Sequence, residues 1–195
     1  MGSKDGLCWS VRDSERLLDT VIQYKPDVVV LAGRWSVYAH GLKDLNSGLP
    51  DPKSHFLTTE VDGVATRESS ERALRTKIPA TIQALRHHGI SVVVINSPPQ
   101  MLFNWSVRRP ELNGRALTML EHREFNTIPD QALQTVNDAI IIDPAEKLCA
   151  SGTCMTEFNG QRLYADDNHL SDDGALLFEG ELTKVLYALW VTSRK

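Results

Sequence analysis

Three runs of the chain carry almost nothing but apolar side chains: Val28-Val29-Val30-Leu31-Ala32, Ile90-Ser91-Val92-Val93-Val94-Ile95-Asn96 and Ala139-Ile140-Ile141-Ile142. A strand with water on one face alternates apolar and polar residues, whereas a run apolar throughout has no face to give to water. Such strands belong in a parallel sheet covered on both faces, and each run here follows a stretch with helical spacing. The expected fold is α/β, three layers (α/β/α) around a parallel sheet.

The helices follow from the spacing of their apolar residues. Leu17, Leu18, Val21 and Ile22 share one face over Glu15–Tyr24, with Ser14 as the expected cap. Leu74, Ile78, Ile82 and Leu85 mark a second helical stretch over Glu68–His88, which Gly89 closes and Pro79 is expected to kink or divide. Residues 110–137 read as mostly helical, interrupted near Asn126–Pro129. A last helix from Asp172 to about Thr192 aligns Phe178, Leu182, Val185, Leu186 and Leu189 as a stripe for the sheet. Residues 40–67, broken by Gly41, Gly48, Pro50, Pro52 and Gly63, read as a long loop with a short helix or hairpin.

In open parallel sheets, ligands sit beyond the carboxyl ends of the strands. That rule brings three segments to one rim: the Gly33-Arg34-Trp35 turn, the Asn96-Ser97-Pro98 turn and the loop Ala165-Asp166-Asp167-Asn168-His169. A carboxylate and an imidazole three residues apart can meet on a helical turn, which would fix the tautomer of His169 and leave its other nitrogen free to take a proton. The same stretch also reads as an ordinary helix entrance, with Ser171 as cap, Asp172 and Asp173 at the positive end of the dipole, and His169 on the surface. Spacing alone leaves both readings open.

Composition narrows the function classes. With 195 residues, 42% hydrophobic and 24% charged, the chain is long enough to bury one sizeable core, and residues 1–195 are expected to form a single domain. The net charge is −4 and the basic residues are dispersed, which argues against a nucleic-acid partner. Neither Gly-x-Gly-x-x-Gly nor Gly-x-x-x-x-Gly-Lys-Ser/Thr follows any strand, so a nucleotide cofactor is not expected, and no His-x-x-x-His or cysteine-rich cluster suggests a metal. No apolar run has the length of a membrane span, and the N-terminus lacks a secretory signal. Met1-Gly2-Ser3 resembles a tag remnant, so residues 1–13 are expected to be a tag or a partial N-terminal segment. Cys149 and Cys154 flank the short loop Ala150-Ser151-Gly152-Thr153 and can either close a disulfide or stand as two thiols, with Cys8 left over.

Two blocks resemble one family. The strand Pro26–Ala32 running into Arg34, Trp35 and Tyr38, and the C-terminal block of Cys149, Cys154, Tyr164, Asp166, His169-Leu170-Ser171 and Gly174, are similar to SGNH (GDSL-type) esterases. The branch they resemble is the one fused to membrane acyltransferase-3 proteins that modify bacterial surface polysaccharides. The resemblance covers roughly residues 14–190 and implies the flavodoxin-like SGNH fold with no cofactor. It implies that His169 is a general base oriented by Asp166, and that Arg34, Trp35 and Tyr38 border the substrate, Arg34 donating to an acyl oxygen and Trp35 stacking on a sugar. It also implies a Cys149–Cys154 disulfide in a periplasmic or extracytoplasmic setting, an acylated polysaccharide or acyl donor as substrate, and a membrane acyltransferase domain in the parent chain.

Two family features are absent from the sequence. No Gly-x-Asn-Asp block follows the first apolar run, and no Gly-Asp-Ser block occurs at all, so the first strand and the nucleophile are expected to be missing. Arg12-Asp13-Ser14 is the only look-alike, and too few residues separate Ser14 from Val28 for a strand and a helix. Ser14 is therefore expected to cap a helix and not to attack. The implied function is carbohydrate O-acyl transfer or ester hydrolysis by a Ser-His-Asp mechanism; the alternative is a non-catalytic module that binds a glycan or partner on the same fold.

Overall fold

The computed structural model describes residues 11–41, 56–60, 63–101 and 117–193. Expectations that fall on Cys8, on most of the long loop within 40–67 and on the start of the 110–137 stretch lie outside the described residues.

Helix α1 (Val11–Tyr24) leads into strand β1 (Val28–Ala32), the short helix α2 (Trp35–His40), the long helix α3 (Arg67–His87) and strand β2 (Ser91–Ile95). Helices α4 (Met119–Phe125) and α5 (Thr127–Gln134) precede strand β3 (Ala139–Ile142) and helix α6 (Pro144–Leu148). A small hairpin, β4 (Glu157–Phe158) and β5 (Gln161–Arg162), and helices α7 (Asp172–Leu176) and α8 (Glu179–Ser193) complete the order. The three apolar runs form one parallel sheet in the order β1-β2-β3, with Val29 beside Val92 and Val92 beside Ala139.

Side-chain alternation sends Val29, Leu31, Val92, Val94 and Ala139 to one face, where they join Leu74, Ile78, Ile82 and Leu85 of α3 and Ile128, Ala132 and Leu133 of α5. Cover on both faces is complete only at the central strand, where Val92, Val93 and Val94 are buried; on the outer strands Val30 and Ile140 of one face are 42% and 38% exposed and Ile141 of the other is 40% exposed. Coverage on both faces, expected of the whole sheet, is met only at its centre, because β1 and β3 each keep one edge without a strand partner among the described residues.

Several helix boundaries depart from the sequence expectation. α1 begins at Val11, so Ser14 lies within its first turn and is not its cap. α3 runs unbroken through Pro79: its four buried aliphatics stabilise by roughly 1.5–3 kcal/mol each, which outweighs the ~3 kcal/mol cost of an interior proline. The carbonyl that Pro79 leaves without a helical donor belongs to the exposed Arg75. Gly89 does close α3, with φ +77° and its N–H on Arg86 O at 2.9 Å. The interruption expected near Asn126 separates α4 from α5.

The last helix divides in two after Leu176. The break turns Leu177 and Phe178 into a second apolar cluster, where Lys147 donates to the Leu177 carbonyl and lies over the Phe178 ring. The stripe Leu182, Val185, Leu186 and Leu189 is half-buried, touches the sheet mainly at β1, and has no fully buried member. The core of that second cluster is Met101, Leu117, Ala145, Leu148, Cys149, Cys154, Leu163 and Tyr164. Cys149 and Cys154 are joined as a disulfide, so the two-thiol alternative does not hold.

Candidate functional site

The segment that carries Asp166 and His169 is not helical, contrary to the spacing argument. It is a loop whose neck is closed by backbone bonds: Ser171 N–H to Leu163 O at 3.0 Å, Ala165 N–H to His169 O at 2.8 Å, and a bridge between Tyr164 and Leu170. Within the loop, Asp166 Oδ1 accepts the N–H groups of Asn168 (2.8 Å) and His169 (2.7 Å), a turn that aspartate favours because its side chain replaces a backbone acceptor. The second carboxylate oxygen, Oδ2, meets His169 Nδ1 at 2.6 Å. The residues of the helix entrance are in place as well: Ser171 caps α7, its Oγ accepting Gly174 N–H at 3.1 Å, with Asp172 and Asp173 in the first turn.

The electrostatics follow from these contacts. Partial burial opposes ionisation of Asp166, but the two loop N–H groups and the His169 ring outweigh it and hold the carboxyl below the usual carboxylate range. Asp166 therefore stays an acceptor at neutral pH, which places a proton on Nδ1 and leaves Nε2 of the neutral ring as the acceptor. The His169 side chain is 67% exposed, so Nε2 is open to an incoming group.

Gly174 explains why the loop can sit where it does. A Cβ at this position would lie 2.1 Å from the carbonyl oxygen of Leu163, closer than atoms can approach. Only glycine lets α7 press against the strand-like neck from which Asp166 departs. Below the loop, the disulfide, Leu163 and Tyr164 are each about 1–2% exposed. The Tyr164 hydroxyl is buried with no hydrogen-bond partner among the described residues, and burial raises its pKa.

The other sequence-derived residues sit at the exit of β1. Trp35 donates Nε1–H to Ile95 O at 3.1 Å and packs on the first core, so its indole is fixed in place. Tyr38 also packs on that core, one turn into α2. One guanidinium nitrogen of Arg34, Nη2, is buried without an acceptor among the described residues. Ser97 Oγ donates to Gly33 O at 3.4 Å, while Gln100 Nε2 and Met101 N–H donate to Asp167. The β2 exit thus touches both the β1 exit and the histidine loop. No hydrogen bond joins Arg34, Trp35 or Tyr38 directly to the Asp166–His169 pair among the described residues.

Two side-chain networks involve residues whose segments the sequence placed at the rim, but their partners carried no local sequence signal. Asn96, 4% exposed, accepts Ser97 N–H and donates to Asp130 Oδ1, both at 2.8 Å. Arg123 binds Asp130, Asp143 and Glu146 together, and a cleft of about 310 Å³ opens beside them, lined also by Leu133, Gln134 and Ile141. The second group is Asp167 with Gln100, 67 positions apart.

Comparison with known proteins bears on this geometry. A family model described as the SGNH domain (fused to AT3 domains) matches residues 5–184. No curated protein sequence matches. Among solved structures, the periplasmic domain of a lipopolysaccharide acetyltransferase from Salmonella ser. Paratyphi A is similar, with a TM-score of 0.53 at 16% identity. The match covers 90% of this chain and 62% of that one, so the chain spans under two thirds of the neighbour's length, and the likeness bears on the fold. No helix among the described residues is long and apolar enough to cross a membrane.

Proposed function

Because the chain belongs to the family of SGNH domains fused to AT3 domains, we propose that it is a carbohydrate O-acyl transferase or esterase domain, with acetyl as the acyl group. The observation that carries the reading is the 2.6 Å contact between Asp166 Oδ2 and His169 Nδ1, with the opposite ring nitrogen open. His169 Nε2 takes the proton of a serine hydroxyl as its oxygen bonds to the acyl carbon; the ester C–O bond then breaks, and the same proton passes to the departing oxygen. In the second half, a sugar hydroxyl or water gives its proton to Nε2 as its oxygen bonds to the acyl carbon; the serine–acyl bond breaks and the proton returns to the serine oxygen. Asp166 stabilises the imidazolium formed in each half.

In this reading Arg34 donates to the acyl oxygen, and Trp35 and Tyr38 border the sugar. The buried Arg34 nitrogen without an acceptor supports the first assignment, since an unsatisfied guanidinium N–H favours an incoming oxygen. No Gly-Asp-Ser block occurs in this sequence, so the reading leaves the serine unassigned; a strand carrying one could pair along the edge of β1 that has no strand partner among the described residues. The setting is periplasmic, and the parent protein joins the domain to a membrane acyltransferase domain that supplies the acyl group.

A serine-directed fluorophosphonate tests the reading on a longer form of the protein. Labelling is expected, with ester turnover falling on the order of 10⁴-fold or more in His169→Ala. Unchanged ester hydrolysis in that variant would sink the assignment. The second reading, a non-catalytic glycan-binding module, is favoured by the absence of a serine block from the chain as it stands. It predicts that the chain binds acylated or deacylated glycan in calorimetry while its extended form takes no label.

A further inference from the structure

Asp166 and His169 fix each other, but their mutual contacts do not fix the pair in space. Both carboxylate oxygens of Asp166 are engaged within the loop, and the His169 ring is mostly exposed. The neck bonds tie the loop to its own flanks. Asp167, between the two, makes a different set of contacts. Its carbonyl accepts Met101 N–H at 2.6 Å, its Oδ2 accepts Gln100 Nε2–H at 3.0 Å, and its Oδ1 accepts Asn168 Nδ2–H at 2.9 Å. Met101 is 1% exposed in the second core, and Gln100 lies on the segment that leaves β2, so these bonds tie the loop to a buried part of the molecule outside its own flanks.

We propose that Asp167 is the positioning residue of the Asp166–His169 pair, clamping the histidine loop to the β2 exit so that His169 keeps its Nδ1 proton and a fixed direction for Nε2. The inference rests on the acyl-transfer reading for its catalytic meaning, though not for its geometry. A carboxylate is required because both side-chain neighbours of Asp167 are amide N–H donors, and a carboxylate is the side chain that accepts on both oxygens. An amide at 167 offers one acceptor in place of two, so one of the bonds survives only if Gln100 or Asn168 turns its own amide and gives up its present orientation. A carboxylate introduced at 100 would restore the pairing by accepting from the amide at 167.

The test is long-range ¹H–¹⁵N NMR of the histidine ring nitrogens on this chain, the His169 signal being assigned by its loss in His169→Ala. The parent should hold its neutral ring as the Nδ1–H tautomer. Asp167→Asn should shift a major part of the population to Nε2–H, and the swap Gln100→Glu with Asp167→Asn should return it to the parent state. Gln100→Ala, which leaves the loop sequence intact, should shift it in the same direction by less, and it decides the matter if Asp167→Asn fails to fold. An unchanged tautomer in both Asp167→Asn and Gln100→Ala, or a swap no different from Asp167→Asn alone, overturns the proposal. In a form of the protein that turns over an ester, Asp167→Asn should lower kcat on the order of 10²-fold at constant KM, with recovery in the swap. Should the tautomer respond as expected in a protein without esterase activity, the acyl-transfer reading fails and the clamp stands.

Discussion

The two apolar clusters hold their parts of the molecule by different means. Around the sheet, α3 and α5 bury regularly spaced aliphatic residues against β1 and β2, and many residues share the work. Around the histidine loop the elements are short: α6 and α7 have five residues each and the hairpin strands two. The loop's shape depends on a disulfide, a glycine contact and a handful of backbone bonds. Burial of area tolerates many substitutions of similar volume, whereas a geometry set by single contacts does not. Loss of a core residue is therefore expected to spare the site of the folded protein, whereas loss of a loop contact should disturb the site and lower stability together.

The largest effect should come from the sheet. Ile82→Ala empties a fully buried position and should cost about 4 kcal/mol in urea denaturation while leaving the His169 tautomer of the folded protein unchanged. Gly174→Ala is the converse, since the added methyl meets a backbone carbonyl that cannot move alone. It should cost about 3 kcal/mol and also perturb the His169 ring; a change in global stability without a change at the ring would break the contrast.

Acid should separate the regions in another way. His122 on α4 is 1% exposed, and burial, opposed by Asp143 and reinforced by Arg123, lowers its pKa to about 4. The unfolded chain takes up this proton first. Stability is therefore full above the ordinary histidine value of about 6.5 and declines as pH falls towards 4, by on the order of 3 kcal/mol. The Asp166 contribution, with a lowered carboxyl pKa, is present above about 3.9 and is lost only as pH falls further, through its folded value. Urea midpoints from about pH 7 to about pH 4 should thus fall before the loop responds, and His122→Leu should flatten the slope.

Smaller effects test the loop's support. Replacing Cys149 and Cys154 by alanine should cost about 2 kcal/mol, as a closed loop this short implies, and should speed amide exchange at Leu163 and Tyr164 more than at Val93. Tyr164→Phe removes a hydroxyl that has no hydrogen-bond partner among the described residues, so its effect on the unfolding free energy should lie within about 1 kcal/mol of neutral. A larger loss would mean that this hydroxyl has a partner after all.

The sequence by itself determined the sheet and its order of helices, because runs without polar residues read as strands of a parallel sheet, and the central one, Val92-Val93-Val94, is buried on both sides. It also pointed to the local pair, since Asp166 and His169 lie three residues apart and close one hydrogen bond within a single loop. The tertiary structure decided the rest. Unbroken passage through Pro79 depends on what α3 buries, and the half-open β1 depends on which strand lies beside it. The split between α7 and α8 depends on where Phe178 can be buried. The Asn159-Gly160 hairpin, with both residues at positive φ, was a local signal that a search for apolar runs passes over. The Gln100–Asp167 clamp left no local trace, because a hydrogen bond between positions 67 residues apart exists only once the sheet has brought its strand exits together.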